Sequence, residues 1–432
     1  MKRFLSLLII ICFLPALGSC SSIYSNYREI QQLMVIQTMG IDQTQGGVQV
    51  SMAAAADAAG DGPRRMTARG STITDAIDRA YRLSYEEEIF LSHVNHLLVG
   101  EAAAEEGLDT LLDYVCQSPT MRIDIPLYIV RGGTANQAVM DVGDSSKGIS
   151  EVMKTVHESF ASPSNSHVFT VADTVNSLLR YGSALVCAVE CLPSSESISP
   201  EKSRDSGQGG QQEENQSGQQ AQEQDGQNSE EQNQQGEEQG GQDAQKEQQG
   251  KSQEDNPLLA VPAGYAVIRE GKLCKFIEPE EAVAVGLLTG SLPISSITVQ
   301  DRNGNNAALE LNQGSADISP VWAGQGQLKG LNIQARVSAS VLETDNWEHR
   351  ESNEYINHLT AQLESSISRQ LSSLLQSSMK LKADFLGLAG QVERKSPENY
   401  RLMNQSFSEL LPGLELQITV SGQVSHTNDM KE

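Results

Sequence analysis

Between positions 193 and 256 the chain is written almost entirely in Gln, Glu, Gly, Ser, Asp and Asn. It has no aromatic residue there, and Ile198 is its one branched aliphatic. Such a stretch cannot bury enough apolar surface to offset the entropy of ordering it. It reads as a disordered linker or loop. Residues 201–256 hold fourteen acidic and four basic side chains, a net −10 out of the −25 of the whole chain. The folded remainder is therefore less acidic than the total suggests. A chain of 432 residues has room for two or three domains with cores of their own. Its negative balance repels nucleic acid and anionic lipid headgroups, so no nucleic-acid partner is expected.

The first twenty residues carry the order of an export signal. Lys2 and Arg3 are followed by an apolar run over 4–14, then Pro15, then Leu17-Gly18-Ser19-Cys20. The apolar run is roughly half the length of about 20 residues that spans a bilayer. Leu-Gly-Ser-Cys resembles the lipobox of bacterial lipoproteins, in which the Cys thiol is acylated and becomes the first residue of the mature chain. The expectation is a signal peptide over 1–19, a lipid on Cys20 and a tether over 20–32. Acyl chains contribute about 0.8 kcal/mol per buried methylene, and two or three hold a protein on a membrane durably. The mature chain, without Lys2 and Arg3, has a net charge of −27.

Four cysteines are left once Cys12 goes with the signal and Cys20 takes lipid: Cys116, Cys187, Cys191 and Cys274. Cys187 and Cys191 fall in one strand-like run, about 13 Å apart on a shared face. That distance is too long for a disulfide or a common metal. A Cys116–Cys274 bridge stays open on sequence alone beside four free, buried thiols.

Periodicity divides the remainder into units. In 33–192 short apolar runs at 34–39 and 48–52 flank a turn-rich hairpin connection over 42–47. Ile73, Ala76, Ile77, Ala80 and Tyr81 recur at helical spacing, as do Leu108, Leu111, Leu112, Val115 and Cys116. Residues 93–99, 125–130 and 184–192 read as strands, and 134–140 as a short helix. Thr170 with Asp173 three residues on forms a capping box ahead of Val171, Val175, Leu178 and Leu179. Strands interleaved with helices argue for a mixed α/β unit. After the linker, 264–268 and 272–277 form a tight hairpin, and a short helix over 279–288 comes next. That gives a small α+β domain over 257–313. Turn-rich sequence at 303–306 and 314–326 separates it from a last α+β domain over 318–429. That domain contains a strand over 331–342, then a long amphipathic helix marked by Ile356, Leu359, Leu363, Ile367, Leu371 and Leu374, then a closing strand over 414–424. The expected class is α+β, a mixed α/β chain of about three sheet-plus-helix domains.

Chemistry is sparse. The chain has no Gly-x-Ser-x-Gly elbow, no Walker loop and no paired metal motif. His93 and His96, three apart on a strand, would point to opposite faces. Glu86, Glu87 and Glu88 read as a solvated face, and 60–65 as a loop. The expectation is no enzyme, no catalytic residue, no metal and no cofactor.

Several stretches together resemble the Ger(x)C family, the lipoprotein C subunits of spore germinant receptors. They are Arg28-Glu29-Ile30 through Met39-Gly40-Ile41-Asp42, then Ser92 through Glu101 with Gly107-Leu108 and Met121-Arg122, then Gly264-Tyr265-Ala266-Val267 with Lys272-Leu273. The most specific is Asp384-Phe385-Leu386-Gly387-Leu388, continuing through Arg394 to Tyr400 and to Phe407. The family's aromatic–acidic pair after the Cys is replaced here by Ser21-Ser22-Ile23, and the Gln/Glu-rich insertion departs from its pattern. The resemblance implies a membrane-anchored subunit on the outer face of the inner spore membrane. It would hold membrane lipid through acylated Cys20 and assemble with integral A and B subunits in nutrient-triggered germination. The alternative is a solute-binding lipoprotein serving a transporter, a class built from two similar lobes, whereas the halves here are unlike.

Overall fold

The computed structural model describes residues 33–54, 64–84, 88–142, 148–160, 168–193, 258–290, 292, 295–344 and 352–425. Cys20, the signal, the tether, the linker beyond Pro193, the loop 60–63 and Glu86 and Glu87 lie outside the described residues. The chain runs through β1 (Leu33–Thr44), β2 (Gly47–Ala54), β3 (Arg65–Gly70), α1 (Ile73–Leu83), β4 (Glu88–Phe90) and β5 (His96–Gly100). Next come α2 (Glu101–Glu106), α3 (Asp109–Gln117), β6 (Leu127–Arg131), α4 (Ala135–Asp141), α5 (Ile149–Phe160), α6 (Val171–Tyr181) and β7 (Ser183–Pro193). Beyond the insertion lie β8 (Leu258–Arg269), β9 (Lys272–Ile277), α7 (Ala282–Thr289), β10 (Ser296–Gln300), β11 (Asn306–Gly324) and β12 (Gln327–Thr344). The chain closes with α8 (Asn353–Leu381), α9 (Leu388–Lys395), α10 (Pro397–Arg401), α11 (Phe407–Leu410) and β13 (Glu415–Ser425). Strands and helices are mixed throughout, and the α+β expectation holds.

Nine strands make the first sheet, in the order β3-β2-β1-β5-β6-β7-β8-β9, with β4 beside the start of β1. Its centre is parallel (β1, β5, β6, β7) and its flanks are antiparallel. Successive residues of the central strands feed two different cores. Leu97, Val99, Leu127, Ile129, Val186, Ala266 and Ile268 pack under α1, α2, α3 and α6. Leu98, Tyr128, Val130, Leu185, Cys187 and Val267 pack on the other side under α4 and α5. Burial on both faces is why these strands read as continuous apolar runs.

β7 and β8 pair antiparallel from Ser183 opposite Arg269 out to Pro193 opposite Leu258. Pro193, expected as the first linker residue, is thus the last of a strand, and the insertion is the loop of a hairpin. The stretch 257–313, expected as a small domain, is shared out. Its first two strands complete the first sheet, while β10 and the start of β11 belong to the second.

The second sheet has the order β10-β11-β12-β13. Residues 314–326, expected as a turn-rich separator, lie mostly within β11, which is 19 residues long. Register shifts at Leu311/Gln313 and beyond let a Gly- and Asn-containing strand track the 18-residue β12. One face holds Leu309, Leu311, Leu331, Ile333, Ala335, Val337 and Val341 against α8, whose Tyr355, Leu359, Leu363, Ile367, Leu371 and Leu374 are all buried. Each fully buried leucine of that stripe contributes about 1.5–3 kcal/mol. Ser352 caps the helix by accepting the Tyr355 N–H at 3.1 Å. The capping box read from Thr170 and Asp173 is present on α6.

Candidate functional site

The motif residues fall into two buried carboxylate sites and one imidazole site. The first is at the C-terminal edge of the parallel strands. Asp42, near the end of β1, accepts the N–H groups of Ala135 (2.8 Å) and Asn136 (2.6 Å) in the first turn of α4. Burial raises its pKa against the pull of those two donors. Gly100 ends β5 beside it, and a Cβ there would overlap the Asp42 carboxylate. Next to this site Arg131 holds Glu278 through two bonds of 2.8 Å and lies 5.1 Å over the Phe276 ring. The opening-strand motif and the central motif, 58 residues apart from Asp42 to Gly100 in sequence, therefore meet at one point.

The second carboxylate is Asp384, 1% exposed. It accepts the N–H groups of Leu388 (2.7 Å) and Ala389 (2.8 Å) and so closes the start of α9. Burial pushes its pKa up to about 7, with the Ala389 and Leu388 donors opposing. The helix it fixes touches both sheets. Its Glu393 pairs with Arg180 of α6, and a Cβ on Gly390 would overlap the Tyr181 hydroxyl. Gln391 donates to the Leu288 carbonyl of α7 at 2.8 Å. Lys395 binds Asp317 of β11 at 2.5 Å, and Trp322 donates to Ser396 at 3.3 Å. Nearby, Arg269 donates to the Leu381 carbonyl and Lys275 to Ser377, each at 2.8 Å. The Asp384 segment is thus the joint between the two sheets.

The histidines read as a strand pair separate. His93 lies on an exposed turn, and β5 begins only at His96. The buried Val94 ahead of the strand is what made the apolar run look longer. His96 is buried, with its ring 6.2 Å from those of Tyr128 and His157. Its Nδ1 has no hydrogen-bond partner among the described residues. Burial lowers its pKa to about 4, and the charge of His157 adds to this. Tyr128 and His157 share a hydrogen bond of 2.9 Å. Cys116, Cys187, Cys191 and Cys274 are free thiols; Cys187 is buried, but Cys116 and Cys274 are exposed, contrary to the expectation that all four are buried. The two exposed thiols lie on α3 and on the edge strand β9, elements with one side open to solvent.

A cavity of about 830 Å³ opens on the second sheet, lined by Asn312, Ser315, Arg336, Ser338 and Gln423 among others. It contains hydroxyls, amides and one guanidinium. Neither buried carboxylate lines it, and each has its oxygens taken up by backbone donors. What the carboxylates do chemically is to position α4 and α9.

Two family models match the chain in order. The first, described as spore germination protein N-terminal domain, covers residues 26–189. The second, described as spore germination B3/GerAC like, C-terminal, covers residues 263–428. The chain belongs to the Ger(x)C family. Within this Ger(x)C chain the boundary between the two matches falls inside the first sheet, because β8 and β9 of the second complete what β1–β7 of the first begin. The Asp42 site lies in the first match and Asp384 in the second. Among solved structures, the crystal structure of the GerBC protein is similar, with 14% identity over 89% of this chain and 96% of that one, at a TM-score of 0.49. No curated protein matches. Sequence patterns did not single out Asp42 or Asp384 as sites. The signal was local for Asp384, which stands four residues ahead of a helix start. For Asp42 there was none, because its partners lie 93 and 94 residues away.

Proposed function

We propose that this Ger(x)C chain is a non-enzymatic, membrane-anchored C subunit of a spore germinant receptor. It is held on the outer face of the inner spore membrane by lipid on Cys20 and acts in nutrient-triggered germination with integral A and B subunits. The observation that carries the reading is the pair of family matches, in order and across both sheets, behind a Leu-Gly-Ser-Cys20 sequence. No helix of the described residues is long and apolar enough to cross a membrane, so attachment by an acylated cysteine is the natural means of holding the chain there. Confinement to the membrane plane raises the effective concentration of integral partners, so modest contacts suffice for assembly.

The test is a mild cross-link and capture of the tagged protein from inner spore membranes. Recovery of a multi-span, permease-like protein and a second large membrane subunit is expected. Recovery of transporter components, or of nothing membrane-embedded, overturns the assignment. In the same strain Cys20→Ala is expected to release the chain from the membrane fraction and to slow germination; retained attachment with a normal response refutes the role of the lipid.

A further inference from the structure

Among the described residues Leu179 is 83% exposed, Leu83 65% and Ile123 52%. Each has an arginine as its chain neighbour: Arg180, Arg82 and Arg122. The three pairs are far apart in sequence, yet the sheet register brings them to one edge. Thr38 sits opposite His96, Leu97 opposite Leu127 and Tyr128 opposite Cys187, all in parallel strands. Leu33, five residues before Thr38, therefore lies at the edge where β6 and β7 begin. α1 ends at Leu83 and the chain then enters β4, whose Glu88 pairs with Leu33 itself. Ile123 precedes β6, and its carbonyl accepts the Ala172 N–H at 2.9 Å at the start of α6. Leu179 is in the last turn of α6, which leads into β7. From β1 to β7 the edge is about 14 Å wide.

That is also the edge at which the chain from Cys20 arrives. Residues 21–32 reach at most about 40 Å when fully extended, so a lipid on Cys20 keeps this edge within a short distance of the bilayer. The insertion, net −11 over 194–257, leaves the chain at Pro193 and returns at Leu258, at the opposite end of β7 and roughly 35 Å along the strands. We infer that this edge of the first sheet rests on the membrane: Leu83, Ile123 and Leu179 enter the interfacial region, and Arg82, Arg122 and Arg180 lie at the level of the lipid headgroup phosphates. Arginine suits the place because its aliphatic stem lines the apolar contact while the guanidinium stays in the polar layer. Arg122 and Arg180 also keep carboxylate partners, Asp124 and Glu393, and are 50% and 57% exposed.

The edge contact rests on acylation of Cys20, and its test separates the two. The mature protein is purified from membranes, its intact mass measured, and returned to vesicles of phosphatidylcholine and phosphatidylglycerol with brominated acyl chains. Leu179→Trp is compared with Leu342→Trp, an exposed site on the second sheet, each read against the background of Trp322 and Trp347. With lipid present in the mass, the Leu179→Trp emission is expected to fall about twofold and that of Leu342→Trp to hold. Lipid present with Leu179→Trp unquenched, or with both quenched alike, overturns the edge contact and leaves the anchor standing. A mass without lipid removes the anchor, and the edge contact with it.

Discussion

The first sheet is closed in by helices on both faces, whereas the second packs one face chiefly on α8 and leaves Gln334, Arg336, Gln417, Thr419 and Ser421 on strands whose other face is open. The difference teaches where each derives its stability. In the first, any one helix covers part of a core that others share. In the second, the buried stripe of α8 is the counterpart of most of the sheet's apolar face, so loss of one contact there is felt along the whole sheet. The buried titratable groups differ as well: the first sheet's packing holds an imidazole, His96, besides the carboxyl of Asp42, whereas the joint by which the second is attached holds the carboxyl of Asp384.

The largest expected effect tests that dependence. Ile367→Ala, at a fully buried position of α8, is expected to cost about 2–5 kcal/mol. Hydrogen exchange should show the loss in β11, β12 and β13 while β5, β6 and β7 keep their protection. Equal loosening of both sheets would mean that they open as one unit.

A pH series sharpens the contrast. The folded pKa of Asp384 is raised, to about 7 from 3.8, so its contribution is full below about pH 4 and is lost as pH rises through about 7. His96 has the opposite sign. Its folded pKa is lowered to about 4 from 6.5, so its contribution is full above about pH 6.5 and is lost as pH falls through about 4. Acid should loosen the packing around His96, and alkali both the Asp384 joint and the Asp42 contact with α4. Urea midpoints at pH 5 and pH 8 are expected to show Asp384→Asn flattening the alkaline loss by on the order of 2–3 kcal/mol. His96→Gln should flatten only the acid limb. A variant profile parallel to the parent's would remove that residue from the account.

The smallest effect concerns the insertion. Replacing residues 194–257 by a two-residue turn closes the hairpin directly between Pro193 and Leu258. Each halving of loop length returns about 0.6 kcal/mol, so stability should hold or rise by up to about 3 kcal/mol. A fall in melting temperature of more than a few degrees would show that the removed stretch contributes to one of the sheets.

How much of this was legible depends on burial. The central strands are readable because both their faces are apolar, and α6 because Thr170 and Asp173 announce it. β10 and most of β11 escape a sequence reading because one face is open to water. There Asn312, Gln313, Ser315 and Asp317 outnumber the inward Leu309, Leu311 and Ile318, and the strand gains its definition from β12, up to 37 residues away, from Ala307 to Thr344. α5 carries a readable spacing in Ile149, Met153, Val156 and Phe160, yet it was not among the expected helices. Of the site, the motif positions were visible, but not that Asp42 serves α4 or that Asp384 joins two sheets. The first depends on a contact 93 residues distant, and the second on which elements α9 would meet.

The pairing of β7 with β8 also has a meaning in time. A chain synthesised from its N-terminus presents β7 while its partner is still 64 residues behind. During that interval the 11-residue segment Ser183–Pro193 has one flank without a neighbour, and its run of Ala184, Leu185, Val186, Cys187, Ala188 and Val189 is an invitation to other chains. The next residues to emerge belong to the most hydrophilic stretch of the protein. The edge of β7 is taken up only when residues 258–269 arrive.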